Sequence, residues 1–260
     1  MKIKAILLRL HWVLSAQLGV DFIKMLSSIS GLPRYTRDLL RFRANYAGKL
    51  EWVPCLHDWH EEGGATKNEY FWQDLLIARK IFAAKPEKHV DIGSRVDGFV
   101  AHVASFREIE VFDIRPITTS IPGVIFKQAD LMDPAVGYTD YCDSVSCLHA
   151  VEHFGLGRYG DPIDPKGYES GIRNMARILR QGGILYLSAP VGVERVEFNA
   201  QHVFYPRTII DVAENNQLKL TEFALFTDKN GLLEMDMTDE IISALEDTRY
   251  GLGIFTFIKT

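Results

Sequence analysis

The chain has 260 residues, of which 47% are hydrophobic and 24% are charged, with a formal net charge of -5. This composition is typical of a globular protein and excludes collagen, coiled-coil arrays and disordered tails. Three cysteines are too few for a disulfide framework or a four-cysteine zinc site, which points to a reducing compartment. At this length we expect one large α/β domain or two small ones.

Charge is unevenly distributed along the chain. Residues 1–50 contain nine Lys or Arg and two acidic residues, a balance of +7, so residues 51–260 carry -12. The acidic body argues against nucleic-acid binding. A basic amphipathic N-terminus can lie on an anionic membrane, contact an acidic partner or form a solvated basic face. Since the uncharged run 10–20 is too short to span a bilayer, we expect a cytoplasmic protein that can associate peripherally with the inner face of the membrane.

Residues 1–85 are predicted to form a helical segment that precedes the α/β domain. Thr66-Lys-Asn-Glu69 fits a capping box, in which two side chains satisfy free N–H groups at a helix start. Apolar residues then recur at helical spacing. The pattern therefore predicts an amphipathic helix over residues 67–84.

Residues 86–260 alternate between strand and helix patterns. Such alternation requires crossover connections, so we predict a doubly wound, mostly parallel α/β sheet of seven strands with helices on both faces. The predicted helices lie around residues 99–106, 168–179 (ended by Gly182-Gly183), 208–215 and 238–247. The predicted strands lie near residues 89–93, 109–113, 124–128, 142–148, 184–189, 218–226 and 253–259.

Ligands of open parallel sheets bind beyond the carboxyl ends of the strands, so the residues that follow each strand form the candidate site. The first strand runs into Asp91-Ile-Gly93-Ser94-Arg95-Val-Asp97-Gly98, whose glycines allow a tight turn and a close approach of a ligand to the backbone. Asp113 follows the second strand, 22 residues after Asp91. A carboxylate at that distance is suited to hold the ribose hydroxyls of a cofactor.

These features occur in a distinctive order. The Asp-x-Gly strand end, the acid after strand two, Gln128-Ala-Asp130-Leu131, the Tyr-Cys-Asp-Ser-Val fourth strand and the Arg177–Pro190 segment resemble the successive motifs of class I S-adenosylmethionine-dependent methyltransferases. The resemblance covers about residues 88–260 and implies a Rossmann-like fold with an antiparallel last strand. The Glu152–Pro162 segment also resembles a little-characterised branch often associated with surface-polysaccharide synthesis.

The resemblance implies S-adenosylmethionine as cofactor. The first loop departs from the family pattern, because Arg95 and Asp97 stand where the second and third glycines are expected. Arg95 either pairs with the cofactor carboxylate or fills the pocket of a protein that has lost the cofactor. The residues implied around the methionine part and the ribose are Asp91, Gly93, Ser94, Arg95, Gly98 and Asp113. Those implied around the adenine and the sulfonium are Asp130, Leu131, Cys147 and Leu148.

A sulfonium methyl group is already activated, so the protein must align an acceptor and exclude water. A hydroxyl acceptor also needs a base, and His149, Glu152 and His153 follow the fourth strand. The loop 155–167 is rich in glycine and proline and offers a guanidinium, an aromatic ring and a carboxylate, which suit a glycan or nucleotide-sugar acceptor. The predicted acceptor-binding residues are Arg158, Tyr159, Asp161 and His202.

Three other interpretations stay open. A catalytically inactive methyltransferase-like scaffold or binding protein is favoured by Arg95. The segment His149-Ala-Val-Glu-His153 matches the H-x-x-E-H pattern of a zinc peptidase group, but it straddles a strand end and lacks an evident third ligand. A nicotinamide-dependent oxidoreductase fits the irregular first loop poorly. We therefore predict S-adenosylmethionine-dependent O-methylation of a carbohydrate or nucleotide-sugar acceptor, without a metal and without nucleic acid.

Overall fold

The computed structural model describes residues 7–8, 10–134, 137–236 and 238–260. The chain divides into two compact units, Met1–Ala65 and Thr66–Thr260. The boundary predicted from the sequence is at residue 85. The helix expected over residues 67–84 falls in the larger unit, because Ile77 and Ile81 are fully buried in one of that unit's hydrophobic clusters.

The smaller unit is built around one long helix, α1 (Phe22–Asn45). It begins at Asp21, whose carboxylate accepts hydrogen bonds from two backbone N–H groups of the first turn. The Arg34 guanidinium lies 3.5 Å from the centroid of the Trp59 ring, which connects the helix to a following 3₁₀ turn, Asp58–His60. A π-helical turn, Val13–Gln17, precedes α1. Within the described ranges, no helix has both the length and the hydropathy needed to cross a membrane.

The larger unit contains an eight-stranded sheet and a separate two-stranded hairpin in the described part of the chain. Its helices are α2 (Glu69–Ala84), α3 (Ala101–Ala104), α4 (Gly167–Ile178), α5 (Pro206–Glu214) and α6 (Asp239–Glu246). Its strands are β1 (His89–Ile92), β2 (Ile109–Asp113), β3 (Val124–Gln128), β4 (Cys142–Leu148), β5 (Leu179–Val191), β6 (Arg195–Glu197), β7 (Gln201–Val203), β8 (Leu218–Thr227), β9 (Gly231–Met235) and β10 (Gly251–Lys259).

The sheet has the strand order β3-β2-β1-β4-β5-β10-β8-β9. Strands β1 to β5 pair in parallel, whereas β10 runs antiparallel to β5 and β8. The predicted fold class is confirmed, including the antiparallel last strand, but the sheet has eight strands rather than seven. The additional strand, β9, pairs with β8 at the edge and contains no fully buried residue, so it leaves little hydrophobic signal.

Helices cover both faces of the sheet. On one face, Ile172 of α4, Ile209 of α5 and Ile242 of α6 belong to one hydrophobic cluster. On the other, the second cluster contains Ile77 of α2 and Val103 of α3. All residues of β1 are buried, as expected for a central parallel strand covered on both sides. The core therefore leaves the ends of the strands as the places where a ligand can reach the sheet.

Two local predictions were wrong. Helix α2 is capped by Asn68, whose side-chain oxygen accepts from the Phe71 N–H at 2.9 Å, and not by Thr66. An Asn two residues nearer the first apolar turn is an equally good cap, and the helix starts there. Helix α4 ends at Ile178 rather than at the Gly182-Gly183 pair, because the chain enters β5 first and Gly182 adopts a φ of +76° within that strand.

Candidate active site

The predicted site residues meet where the winding of the sheet reverses. Strand β1 pairs with β2 on one side and with β4 on the other, and these strands are parallel. Gly93 and His149 directly follow β1 and β4, and Asp113 is the last residue of β2, so all three lie at one edge of the sheet. A crevice at such a reversal is where doubly wound folds bind ligands.

Asp91 and Ser94 hold the first loop against β4. The fully buried Asp91 carboxylate accepts from the Ser94 hydroxyl at 2.6 Å, the Ser94 N–H at 3.1 Å and the Ser146 hydroxyl at 2.6 Å. Burial raises the pKa of Asp91 to about 7, although these hydrogen bonds oppose the shift. The Ser94 hydroxyl also accepts from the Leu148 N–H at 3.1 Å. Both side chains are thus engaged within the protein, where they shape the loop.

The two loop glycines lie in crowded places. Gly93 has a φ of +68°, and a Cβ there would lie 3.1 Å from the Ala150 Cβ. A Cβ on Gly98 would lie 2.6 Å from Asp74 Oδ2 on helix α2. Burial raises the pKa of Asp74 to about 6, with a hydrogen bond from Gln73 opposing it. A buried carboxylate that sequence analysis did not identify therefore lies against the first loop.

Arg95 lies at the surface. Its guanidinium binds the Asp97 carboxylate at 2.7 and 3.1 Å, and its side chain is 56% exposed. It also lies 5.3 Å from the centroid of the Tyr70 ring. These contacts direct Arg95 to its neighbour in the loop rather than into the crevice.

A second arginine, Arg115, occupies the expected ribose position. Its Nε and Nη2 bind the Asp113 carboxylate, the shortest distance being 2.6 Å, and Nη2 also donates to the Gly93 carbonyl at 3.2 Å. Its guanidinium lies 4.6 Å from the centroid of the Tyr159 ring. One guanidinium thus contacts two of the residues predicted to bind the cofactor, Asp113 and Gly93, and one predicted to bind the acceptor, Tyr159. The Asp113 side chain is 5% exposed, whereas that of Arg115 is 41% exposed.

The residues implied around the adenine and the sulfonium are mostly structural in this arrangement. Asp130 Oδ1 accepts from the Met132 N–H at 2.8 Å and shapes the turn after β3. Leu131, Cys147 and Leu148 are buried in the core. Burial raises the pKa of the Cys147 thiol well above its usual range, so this side chain is a neutral part of the floor of the crevice.

His149 is a buried cation. Its Nδ1 lies 2.5 Å from Glu152 Oε1, and its Nε2 forms an ion pair of 3.0 Å with Glu69 Oε1 that is not well aligned as a hydrogen bond. The ring stacks on Tyr70 with centroids 4.6 Å apart. Burial alone would lower the pKa of His149, but the two carboxylates outweigh it and raise the pKa to about 10. His149 is therefore protonated at neutral pH and cannot accept a proton there.

His153 has the opposite character. Its Nδ1 lies 2.8 Å from the Ala200 carbonyl, which fixes the tautomer that carries the proton on Nδ1 and leaves Nε2 as an acceptor. Burial lowers the pKa of His153, and the Arg158 guanidinium adds to this, while Glu152 opposes it. Of the two histidines, His153 is the one with a free lone pair at neutral pH.

The loop after His153 is organised by Asp161. Its Oδ2 accepts from the N–H groups of Gly155 at 2.9 Å and Gly157 at 3.0 Å, and its Oδ1 accepts from the Tyr159 N–H at 3.1 Å. Both oxygens therefore bind the loop backbone, which differs from the predicted contact with acceptor hydroxyls. The sequence does not reveal this, because an aspartate in a glycine-rich loop is suited to either role.

The two remaining acceptor-binding candidates flank His153. Arg158 Nη1 donates to the Ala200 carbonyl at 2.9 Å, and its guanidinium lies 5.2 Å from the centroid of the Tyr159 ring. His202 stacks on Phe204 with centroids 5.4 Å apart. Burial lowers the pKa of His202.

Three buried polar atoms of the site, His149 Nε2, Glu152 Oε2 and His202 Nε2, have no hydrogen-bond partner among the described residues. Unsatisfied buried polar atoms are costly unless a ligand or water pairs with them.

Helix α2 contributes Glu69, which sequence analysis assigned to capping, and Gln73, which it did not identify. Glu69 pairs with His149 and accepts from the Tyr250 hydroxyl at 2.8 Å. Gln73 accepts from the buried hydroxyl of Ser188 on β5 at 2.6 Å. Only polar residues at buried positions of the helix could have indicated this role, and burial is not visible in the sequence.

In the described part of the chain, no cluster of three or more His, Cys, Asp or Glu side chains is placed to hold a metal ion.

Comparisons with known proteins agree with the architecture. A family model described as "Caenorhabditis protein of unknown function, DUF268" matches residues 123–211. No curated protein matches the chain. The N-methyltransferase NodS from Bradyrhizobium japonicum WM9, in complex with S-adenosyl-L-homocysteine, is 15% identical with a TM-score of 0.50, over 77% of this chain and 91% of that chain.

Two further solved structures show how varied the proteins with this fold are. The Burkholderia thailandensis 1,6-didemethyltoxoflavin-N1-methyltransferase, with bound S-adenosylhomocysteine, is 11% identical with a TM-score of 0.50, over 73% of this chain and 79% of that chain. The [4+2]-cyclase SpnF is 13% identical with a TM-score of 0.50, over 90% and 96% of the two chains. At these identities the similarity shows the fold alone, which is the Rossmann-like fold of class I S-adenosylmethionine-dependent methyltransferases.

The two histidines are expected to titrate on opposite sides of the ordinary value. In long-range ¹H–¹⁵N spectra, His149 should stay doubly protonated through neutral pH with a midpoint near pH 10, and His153 should be a neutral Nδ1–H tautomer with a midpoint below 6.5. Glu69→Gln removes one carboxylate and should lower the His149 midpoint by about one unit or more. A neutral His149 at pH 7 would contradict the assignment.

Two glycines of the loop 155–167, Gly155 (+80°) and Gly160 (+89°), both have positive φ. Their surroundings predict different costs of substitution. A Cβ on Gly155 would overlap the Asp164 carbonyl, whereas nothing lies within 4 Å of one on Gly160. Gly160→Ala should cost about 1 kcal/mol of unfolding free energy from backbone strain alone. Gly155→Ala should cost about 2–4 kcal/mol, because overpacking adds to strain. Urea denaturation measures both, and equal losses would show that the loop has room at Gly155.

Proposed function

We propose that this chain is an S-adenosylmethionine-dependent methyltransferase. The observation that carries the proposal is the convergence of Gly93 and Asp113 at one edge of the sheet, close enough for a single guanidinium, that of Arg115, to contact both. A small polar ligand placed there would meet the same groups. The fold is compatible with this activity, and the site chemistry is what argues for it.

The residues present fit the cofactor if Arg115 turns aside. The Asp113 carboxylate offers two oxygens to a ribose diol, and its neighbour Arg115 is 41% exposed and can rotate into solvent. Gly93 exposes backbone at a left-handed turn where a side chain would crowd Ala150. The buried carboxylate of Asp74, beside Gly98, is suited to an ammonium group. We therefore assign Asp113 to the ribose, and Gly93 and Asp74 to the methionine part.

The remaining chemistry falls to the protein's own side chains. S-adenosylmethionine supplies a methyl group already activated by its sulfonium. His153 Nε2 is the atom that accepts a proton from an acceptor hydroxyl, because Nδ1 is bound to the Ala200 carbonyl. Glu152, with Oε1 3.9 Å from that nitrogen, stabilises the imidazolium that results. His149 is a positioning residue, since its ion pair holds Glu152 in place.

For the acceptor we propose a carbohydrate or nucleotide-sugar, as in surface-polysaccharide synthesis. Two guanidinium groups, those of Arg115 and Arg158, lie 4.6 and 5.2 Å from the Tyr159 ring centroid. A ring between two cations suits a ligand that combines a sugar face with a phosphate or carboxylate. The unpaired Glu152 Oε2 and His202 Nε2 are polar atoms that hydroxyl groups can satisfy.

One observation favours a second candidate function, a binding protein that has lost catalysis. Arg115 satisfies the Asp113 carboxylate with two of its nitrogens, so the expected ribose position is filled by the chain's own side chain. If the Arg115–Asp113 ion pair never opens, the protein keeps this fold but cannot bind the cofactor at Asp113. The two functions differ in whether a nucleoside can displace Arg115.

Calorimetry with S-adenosylhomocysteine separates these functions. The unmodified protein should bind with a dissociation constant in the micromolar range, and Asp113→Ala should weaken binding at least about tenfold by removing a charge-assisted pair of hydrogen bonds. Arg115→Ala should tighten binding several-fold, because the competent site no longer has to open first. The control Arg180→Ala removes an exposed ion pair with Glu87 and should change nothing.

Failure of both the unmodified protein and Arg115→Ala to bind would overturn the cofactor assignment. Binding by Arg115→Ala alone would instead indicate a site that is closed in the natural sequence. Circular dichroism of each variant establishes that the fold is retained.

The base is tested by transfer of a labelled methyl group from S-adenosylmethionine to a panel of nucleotide-sugars and glycans. With an acceptor in hand, His153→Gln should lower kcat by about 10²–10⁴-fold with little change in KM. The residual rate should rise with pH as hydroxide replaces the base. In the unmodified protein, the rate should rise with pH to a plateau with a midpoint below 6.5. A variant with full activity would exclude His153 as the base.

A further inference from the structure

Helix α1 carries an apolar surface that the structure leaves exposed. None of its residues is buried in the structure. Phe22, Met25, Leu26 and Ile29 follow the i, i+3, i+4, i+7 pattern of one helix face, and each is between 47% and 64% exposed. We call these four residues the apolar stripe. A contiguous exposed stripe of this kind marks an interaction surface.

The segment before α1 is also apolar and exposed. Leu7, Leu8, Leu10 and Trp12 are each at least 53% exposed. Tryptophan and leucine on one face are typical of helices that lie in the interface of a bilayer, where the indole N–H stays hydrated while the ring is buried. The apolar surface therefore extends beyond the stripe.

The segment around the stripe has an excess of basic residues. Arg37 and Arg41 lie about 60° and 100° around the helix from Phe22 at 3.6 residues per turn. The acidic residues of the segment are engaged locally, since Asp21 caps α1 and Asp38 pairs with Arg37 at 3.0 Å. Three of the nine basic residues of the segment, Lys2, Lys4 and Arg9, lie outside the described residues.

We propose that residues 10–45 bind the surface of an anionic lipid bilayer, with the apolar stripe inserted at the level of the head groups and Arg37 and Arg41 on lipid phosphates. Insertion and electrostatic attraction are the two contributions that together give stable peripheral binding. The excess of basic charge favours an anionic bilayer over a second copy of the chain, because two copies meeting through this face would bring like charges together. The proposal does not depend on methyl transfer.

The test is flotation of the full-length protein with vesicles of phosphatidylcholine alone or mixed with phosphatidylglycerol. The protein should float with the mixed vesicles and much less with the neutral ones, and salt should weaken the binding by screening. The double variant Leu26→Glu/Ile29→Glu should abolish flotation. The double variant Arg37→Gln/Arg41→Gln should lower affinity for the mixed vesicles by about fivefold for each charge removed.

The matched control is Leu233→Glu, which makes the same chemical change at an exposed leucine of strand β9 and should float like the unmodified protein. Circular dichroism checks that each variant remains helical. Absence of flotation with either vesicle would overturn the proposal, as would flotation that the stripe variant leaves unchanged. A concentration-dependent dimer that Leu26→Glu/Ile29→Glu dissociates, without vesicle binding, would assign the stripe to a second copy instead.

Discussion

The ion pairs of His149 with Glu69 and Glu152 join the end of β4 to the first turn of helix α2. Burying the His149 and Glu152 side chains is costly, and close pairing is what offsets the cost. Loss of one partner would leave a buried charge without compensation. Together with the burial of Ile77 and Ile81, this contact holds α2, which carries Tyr70 over the imidazolium ring and Asp74 against the first loop. The cluster of His149, Glu69 and Glu152 thus helps to fix the positions of the residues around the candidate site.

Two titratable residues four positions apart have taken opposite roles because of their surroundings. The two carboxylates beside His149 raise its pKa and keep it charged, whereas burial and the Arg158 guanidinium lower the pKa of His153. A similar division separates the acids, since Asp91 is committed to the loop while Asp113 pairs with the partly exposed Arg115. In each pair, His149 or Asp91 is committed to contacts within the protein. The other residue, His153 or Asp113, is left to contact a ligand.

The sequence predicted the architecture better than it predicted the contacts of the site. Strands with buried apolar runs and the glycine of the first loop are local signals, so β1 to β5 and the turn at Gly93 were found. The pairing of Arg115 with Asp113 was missed, because a spacing of two residues gives no sign of whether the side chains meet. Glu69 and Asp74 were missed for another reason: their contacts depend on how α2 packs against the sheet, and a helical pattern does not specify its partner.

The closure of the loop by Asp161 has a consequence for how recognition can diversify. Because this carboxylate ties three backbone amides together, the path of the chain from Gly155 to Asp161 does not rely on the side chains that the loop displays. Arg158 and Tyr159 can therefore be exchanged while the frame that presents them persists. Under the proposed function, the choice of acceptor could be changed through these two positions without rebuilding the loop.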